Sequence, residues 1–145
     1  MKATLLVALT LLLSTACSAQ VSLFPRHVVA PTYPQIAKTA HITGKVRLVV
    51  TIESDGRVSN VELTSGPPLL QRNAIENVKL WVFDRPAAAP FIQTVVYNFQ
   101  FGDDAFQKSC KEGEVRVNYD FPEQVNLLAC LPPIDVQSGA ASKSN

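Results

Sequence analysis

The chain has 145 residues, a formal net charge of +1 and a hydrophobic fraction of 47%. The near-neutral charge, without clusters of Lys and Arg among aromatic residues, argues against nucleic acid as the main partner. The length suits one domain with one modest core.

The N-terminal segment, residues 1–19, has the layout of an export signal. Lys2 precedes an apolar run at residues 3–13, and small residues follow up to Ala19. This order is typical of a signal peptide. The apolar run is shorter than the roughly 20 residues that span a bilayer. We therefore expect cleavage after Ala19 and a mature protein that is periplasmic or secreted, with lipoprotein formation through Cys17 as the alternative.

Residues 20–30 are predicted to be a short linker that leads into a domain at residues 31–102. A β-hairpin gives the clearest pattern inside this domain. Apolar and polar residues alternate on both sides of Asp55-Gly56, a dipeptide that is typical of two-residue hairpin turns. With that turn, the apolar faces of the two strands coincide. The predicted pairs are Leu48 with Leu63, Val50 with Val61, Ile52 with Ser59 and Ser54 with Arg57.

A helix and a third strand follow the hairpin. Pro67 and Pro68 suit a helix start, and apolar residues then recur at helical spacing from Leu70 to Trp81. Residues 91–101 alternate again and predict a strand. A right-handed crossover places this third strand beside the first, so that the predicted order is second, first, third. The third strand is then an edge strand with unpaired main-chain groups.

The C-terminal extension, residues 103–136, is predicted to contain one more strand, because residues 114–121 alternate strictly. Export removes Cys17 and leaves Cys110 and Cys130, for which a disulfide is the default in an oxidising compartment. Two buried free thiols are the alternative. Residues 137–145 are small and polar and predict a disordered tail.

An ordered set of short motifs resembles the C-terminal domain of TonB-type energy transducers over roughly residues 25 to 102. The motifs are Pro31-Thr32-Tyr33-Pro34 with Ala37, Gly44-Lys45-Val46, Asp55-Gly56-Arg57-Val58, Ser65-Gly66, Ala74, Trp81-Val82-Phe83 with Pro86, and Phe99-Gln100-Phe101.

The resemblance implies an α+β fold of β-β-α-β order, with a short N-terminal helix that Tyr33-Pro34 opens and an antiparallel three-stranded sheet. The disulfide-linked β extension is added to it. It also implies a binding module that captures an extended segment of an outer-membrane transporter or another envelope protein by β-augmentation. By position, the capturing edge is formed by Val95, Val96, Tyr97, Asn98, Phe99 and Gln100.

Two departures from the family bear on function. A complete transducer has an anchor and a long spacer before this domain, whereas here the leader and the domain are close together. The extension is the other departure, and one hypothesis is that it covers the strand edge and regulates capture. A stabilising appendage is the alternative. An open edge would also allow a homodimer.

No catalytic motif is found, so we expect no enzyme, cofactor or metal site, and we assign His27 and His41 to surface or packing roles. Two other functions stay open. One is a secreted structural or inhibitory module that uses this fold without a transporter. The other is a transducer whose leader is retained as an anchor.

Overall fold

A computed structural model describes residues 21–132 of the chain. The predicted leader, the acylation at Cys17 and the predicted tail lie outside the described residues. The elements in chain order are β1 (Pro25–His27), α1 (Gln35–Thr39), β2 (Gly44–Ile52), β3 (Val58–Ser65), α2 (Pro68–Val78), β4 (Val82–Phe83), β5 (Phe91–Phe101), α3 (Asp104–Ser109), β6 (Val115–Asp120) and β7 (Gln124–Ala129). Among the described residues, no helix is both long and apolar enough to cross a membrane.

The main sheet has five strands in the order β3-β2-β5-β7-β6. The first three strands have the predicted order, and β2 pairs antiparallel with both β3 and β5. The prediction of a three-stranded antiparallel sheet is nevertheless wrong. The extension forms two strands, β6 and β7, and both join the same sheet. Since β7 runs parallel to β5, the sheet is mixed and β5 lies in its centre.

The β2–β3 hairpin keeps the predicted register only in its middle. Leu48 pairs with Leu63 and Val50 with Val61, but Ile52 pairs with Val58 instead of Ser59. The register changes because the turn is not a two-residue loop. Gly56 has a φ of 86°, and its carbonyl accepts a hydrogen bond from the main-chain N–H of Phe83 at 2.8 Å. A side chain at this position would collide with the Phe83 carbonyl, so both the conformation and the contact require glycine.

The core lies between the sheet and α2. Pro68 occupies the first turn of α2, where its missing N–H leaves no hydrogen bond unmade. Leu70, Ala74 and Val78 then project from one face of the helix at intervals of four residues and are fully buried. The sheet residues that face them are also fully buried: Val46, Leu48, Val50, Ile52, Val95, Tyr97 and Phe99.

Asn77 is a buried polar hub within this core. Its Oδ1 accepts hydrogen bonds from Trp81 Nε1 at 3.1 Å and from the Tyr97 hydroxyl at 2.8 Å, and its Nδ2 donates to the Val29 carbonyl at 2.9 Å. The amide thereby joins α2, β5 and the segment that precedes α1. Burial, with a smaller contribution from the nearby Tyr119, raises the pKa of Tyr97 well above its usual range. The phenol therefore remains a neutral donor.

The segment predicted to be a linker belongs to the folded domain. β1 pairs antiparallel with β4 in a separate two-stranded sheet. The Gln93 side chain, which is buried, bonds both the N–H and the carbonyl of Leu23 and donates to the Pro122 carbonyl. These contacts are long-range, since Leu23 and Gln93 lie 70 residues apart in sequence, and local pattern carries no signal for them.

Asn77→Ala is expected to lower the free energy of unfolding by about 3 kcal/mol in urea denaturation. The substitution leaves the Trp81 N–H and the Tyr97 hydroxyl buried without an acceptor, and each such group costs roughly 1–3 kcal/mol. Asn73→Ala is the matched control, because that side chain makes one exposed hydrogen bond to Thr32. Equal losses for the two variants would contradict the role of Asn77.

Candidate functional site

The residues predicted to form a capturing edge, Val95 to Gln100, lie in the second half of β5. Their main-chain groups alternate between two neighbouring strands. The N–H of Val96 donates to the carbonyl of Glu123 at 2.7 Å, just before β7. Since β5 pairs residue by residue with β2 and β7, Val96, Asn98 and Gln100 face β7, while Val95, Tyr97 and Phe99 face β2.

The prediction that β5 is an edge strand is therefore wrong. Parallel pairing with β7 begins at Val96 opposite Gln124 and continues to Phe101 opposite Ala129. This pairing covers the segment that the resemblance assigns to a partner. The expected homodimer through this edge would likewise need β7 to leave. A partner-binding role for Val95 to Gln100 stays a prediction that depends on the same movement.

The contact between β5 and β7 is an apolar packing interface as well as a hydrogen-bond ladder. Val125, Leu127 and Ala129 are fully buried, and they lie opposite Tyr97, Phe99 and Phe101 in the parallel register. On the other face of the sheet, Asn98 donates to the side-chain oxygen of Asn126 at 3.1 Å. The β7 strand is thus a full member of the core.

The sequence does contain a signal for β7. Residues 124–129 alternate, with Val125, Leu127 and Ala129 at every second position, and the turn around Pro122 precedes them. The extension was predicted to have one strand, which ends at Phe121. The second strand, β7, was not predicted. Its pairing with β5 was therefore not predicted either.

The predicted disulfide is present and holds the end of β7. Cys110 follows α3, Cys130 follows β7, and their Cα atoms are 5.9 Å apart. The N–H of Cys130 also donates to the Glu114 carbonyl at 2.9 Å, next to the first residue of β6. The bridge therefore ties the end of β7 to the end of α3, and the hydrogen bond joins the same end of β7 to the start of β6.

Within residues 21–132, no group of three His, Cys, Asp or Glu residues is placed to hold a metal ion. His27 lies in β1. His41 lies in the turn after α1, and its ring centroid is 5.8 Å from that of Phe101. The arrangement offers strand edges, main-chain groups and apolar side chains, which are the means of binding an extended polypeptide.

The fold and the pairing of β5 define the class of protein: an α+β module in which one side of a long strand pairs with an extended segment, here the chain's own β7. Residues 29–101, half of the chain, match the family model described as "Gram-negative bacterial TonB protein C-terminal". The chain belongs to this family, as the motifs predicted. The family is one of non-enzymatic energy transducers, in agreement with the expectation of no enzyme.

Two individual proteins are similar to the chain. Protein TonB of Yersinia enterocolitica is 32% identical over 69 residues, which are 46% of this chain and 27% of that protein. The chain thus corresponds to about a quarter of the length of this curated relative. The solution NMR structure of the Pseudomonas aeruginosa TonB CTD is 24% identical, with a TM-score of 0.44, and the match covers 57% of this chain and 89% of that one.

Replacing both cysteines, Cys110→Ser with Cys130→Ser, is expected to lower the free energy of unfolding by roughly 3 kcal/mol, because the bridge restricts the unfolded chain. Urea denaturation of the oxidised wild type and the double variant measures this loss. Reductant should destabilise the wild type by a similar amount and leave the variant unchanged. A reductant effect on the variant would show that the loss does not come from the bridge.

Proposed function

We propose that the protein is a periplasmic binding module for an extended segment of an outer-membrane transporter or another envelope protein, linked to transmembrane transport. Family membership supports the class of function. The observation that carries the mode of binding is the parallel ladder between β5 and β7, because it shows this edge pairing with an extended segment in unbroken register. In this proposal the partner segment binds by β-augmentation at Val95 to Gln100.

The chain's own β7 acts as a competitor in this proposal. The main-chain groups of Val96, Asn98 and Gln100 that would bind a partner already bind β7. Releasing Val125 and Leu127 from full burial costs about 1.5–3 kcal/mol for each side chain. The form with an open edge is thus a minor one, and the apparent affinity for a partner falls in proportion to its population.

The pattern of β7 suggests the chemistry of a suitable partner segment. Val125, Leu127 and Ala129 supply apolar side chains at every second position and fill space beside buried aromatic residues. An extended partner with aliphatic residues at the same spacing would replace these contacts. The intervening positions would be polar, since Gln124 and Asn126 lie on the opposite face.

A second function is a secreted structural or inhibitory module that uses the same fold without a transporter. The observation in its favour is the full burial of Val125, Leu127 and Ala129 together with the disulfide at Cys130. In this alternative the edge is closed for the lifetime of the folded protein. The two functions differ in whether weakening β7 uncovers binding.

The test compares Leu127→Ala, which weakens β7, with Leu70→Ala in α2. Both leucines are fully buried, so each substitution lowers the free energy of unfolding by about 2–5 kcal/mol. Only Leu127→Ala disturbs the β5–β7 contact. The probe is a fluorescent extended peptide from an outer-membrane transporter, and anisotropy measures its dissociation constant.

The proposal predicts that Leu127→Ala binds the peptide about tenfold more tightly than the wild type. The control Leu70→Ala should bind like the wild type. Circular dichroism establishes that both variants are folded. No binding by any of the three folded proteins would contradict the proposed function and favour the alternative.

A further inference from the structure

The outer edge of β6 has no neighbour among the described strands, because β6 ends the main sheet. Its pairing with β7 is continuous from Val115 to Asp120, without a register shift. The hydrogen bond from the Cys130 N–H to the Glu114 carbonyl fixes which residues face β7. By alternation, Val115, Val117 and Tyr119 direct their main-chain groups outward from the sheet.

The opposite edge of the sheet, formed by β3, is less regular. Its pairing with β2 contains two register shifts, one near each end, and irregularities of this kind protect an edge from pairing with another chain. The β6 strand has neither a shift nor a proline between Val115 and Asp120. Of the two end strands of the main sheet, β6 is thus the better template for a further strand.

One side of the β6 edge is apolar and already ordered. Val115, Val117 and Tyr119 are half-buried on the face that carries the core. The Tyr119 ring stacks on Phe121 with centroids 5.1 Å apart, and both rings lie within 6.3 Å of Trp81. An incoming strand would meet aliphatic and aromatic side chains held in place.

The other face of β6 carries a positive charge two residues before Asn118 and a negative charge two residues after it. Arg116 and Asp120 are exposed. The Arg116 Nε donates to Glu114 at 3.0 Å and its guanidinium lies 4.6 Å from the Phe106 ring centroid, so the side chain is held at the sheet surface. The ion pairs found among the described residues do not include the Asp120 carboxylate.

We propose that β6 is a dimerisation edge, which pairs antiparallel with β6 of a second copy about a two-fold axis at Asn118. Two five-stranded sheets would then form one continuous sheet. In this register each charged residue faces the opposite charge, and each aliphatic residue faces an aromatic one. The pairs are Arg116 with Asp120, Val117 with Tyr119, Val115 with Phe121, and Asn118 with itself.

Main-chain geometry and charge select this register. Outward-facing residues must lie opposite outward-facing residues, which restricts the two-fold axis to a residue position. An axis at Arg116 or Asp120 puts identical charges opposite each other, and an axis at Val117 puts Glu114 opposite Asp120. An axis at Tyr119 brings no like charges together but forms no ion pair, and an axis at Val115 leaves most of β6 opposite the residues that precede the strand. The axis at Asn118 avoids the repulsions, forms two ion pairs and places the strand opposite itself.

The dimer is independent of the proposed capture of an envelope segment. That capture concerns the β5 edge, which lies on the far side of β7 from the β6 edge. Loss of the dimer would leave the capture proposal intact, and the reverse also holds.

Sedimentation of the full chain tests the proposal through a charge exchange. Asp120→Arg puts arginine opposite Arg116 of the second copy at two places, and the dimer dissociation constant should rise by about tenfold or more. Combining it with Arg116→Asp restores opposite charges, and this double variant should recover the dimer. Both side chains are exposed, and thermal unfolding checks that each variant is folded.

Glu62→Arg at the β3 edge is the matched control, because it reverses an exposed charge at the other end of the sheet. It should leave the mass of the dimer unchanged. A wild type that is monomeric at millimolar concentration would overturn the proposal. A dimer that Asp120→Arg does not weaken, or that Glu62→Arg disrupts to the same extent, would also overturn it.

Discussion

Parallel pairing between β5 and β7 is the interaction on which the rest of the structure depends. The β5 strand is 11 residues long, and without β7 its main-chain groups at Val96, Asn98 and Gln100 would be unpaired along one side. Unpaired N–H and C=O groups along an exposed edge of this length can pair with a strand of another chain. The extension supplies an internal partner, and the disulfide after β7 holds that partner in place.

The same pairing explains how the core is completed. Tyr97 and Phe99 are fully buried, and Val125 and Leu127 lie beside them in the neighbouring strand. The second strand of the extension, β6, then brings Tyr119 against Trp81, which packs at the end of α2. The domain shared with the TonB family and the extension thus form one core. Because this core is close-packed, a substitution in one part alters the packing of the other.

Sequence patterns predicted the parts of the fold that local chemistry determines. The central hairpin pairs, the start of α2 at Pro68, the bounds of β5 and the disulfide are all as expected. The errors concern contacts between distant residues. The turn at Gly56 differs because Phe83 binds it, and the edge at β5 is covered because β7 returns to it. Alternation marks a strand but does not identify its neighbour, so the occupant of the candidate site could not be predicted.

The side of β5 that carries Val96, Asn98 and Gln100 is occupied by β7, so a partner segment at the proposed site would have to compete with a segment of the same chain. Hydrogen exchange of the β5 amides tests this account most directly. It predicts that the N–H groups of Val96, Asn98 and Gln100, which face β7, are protected as strongly as those of Val95, Tyr97 and Phe99, which face β2. Fast exchange confined to Val96, Asn98 and Gln100 would show an open edge and contradict the account.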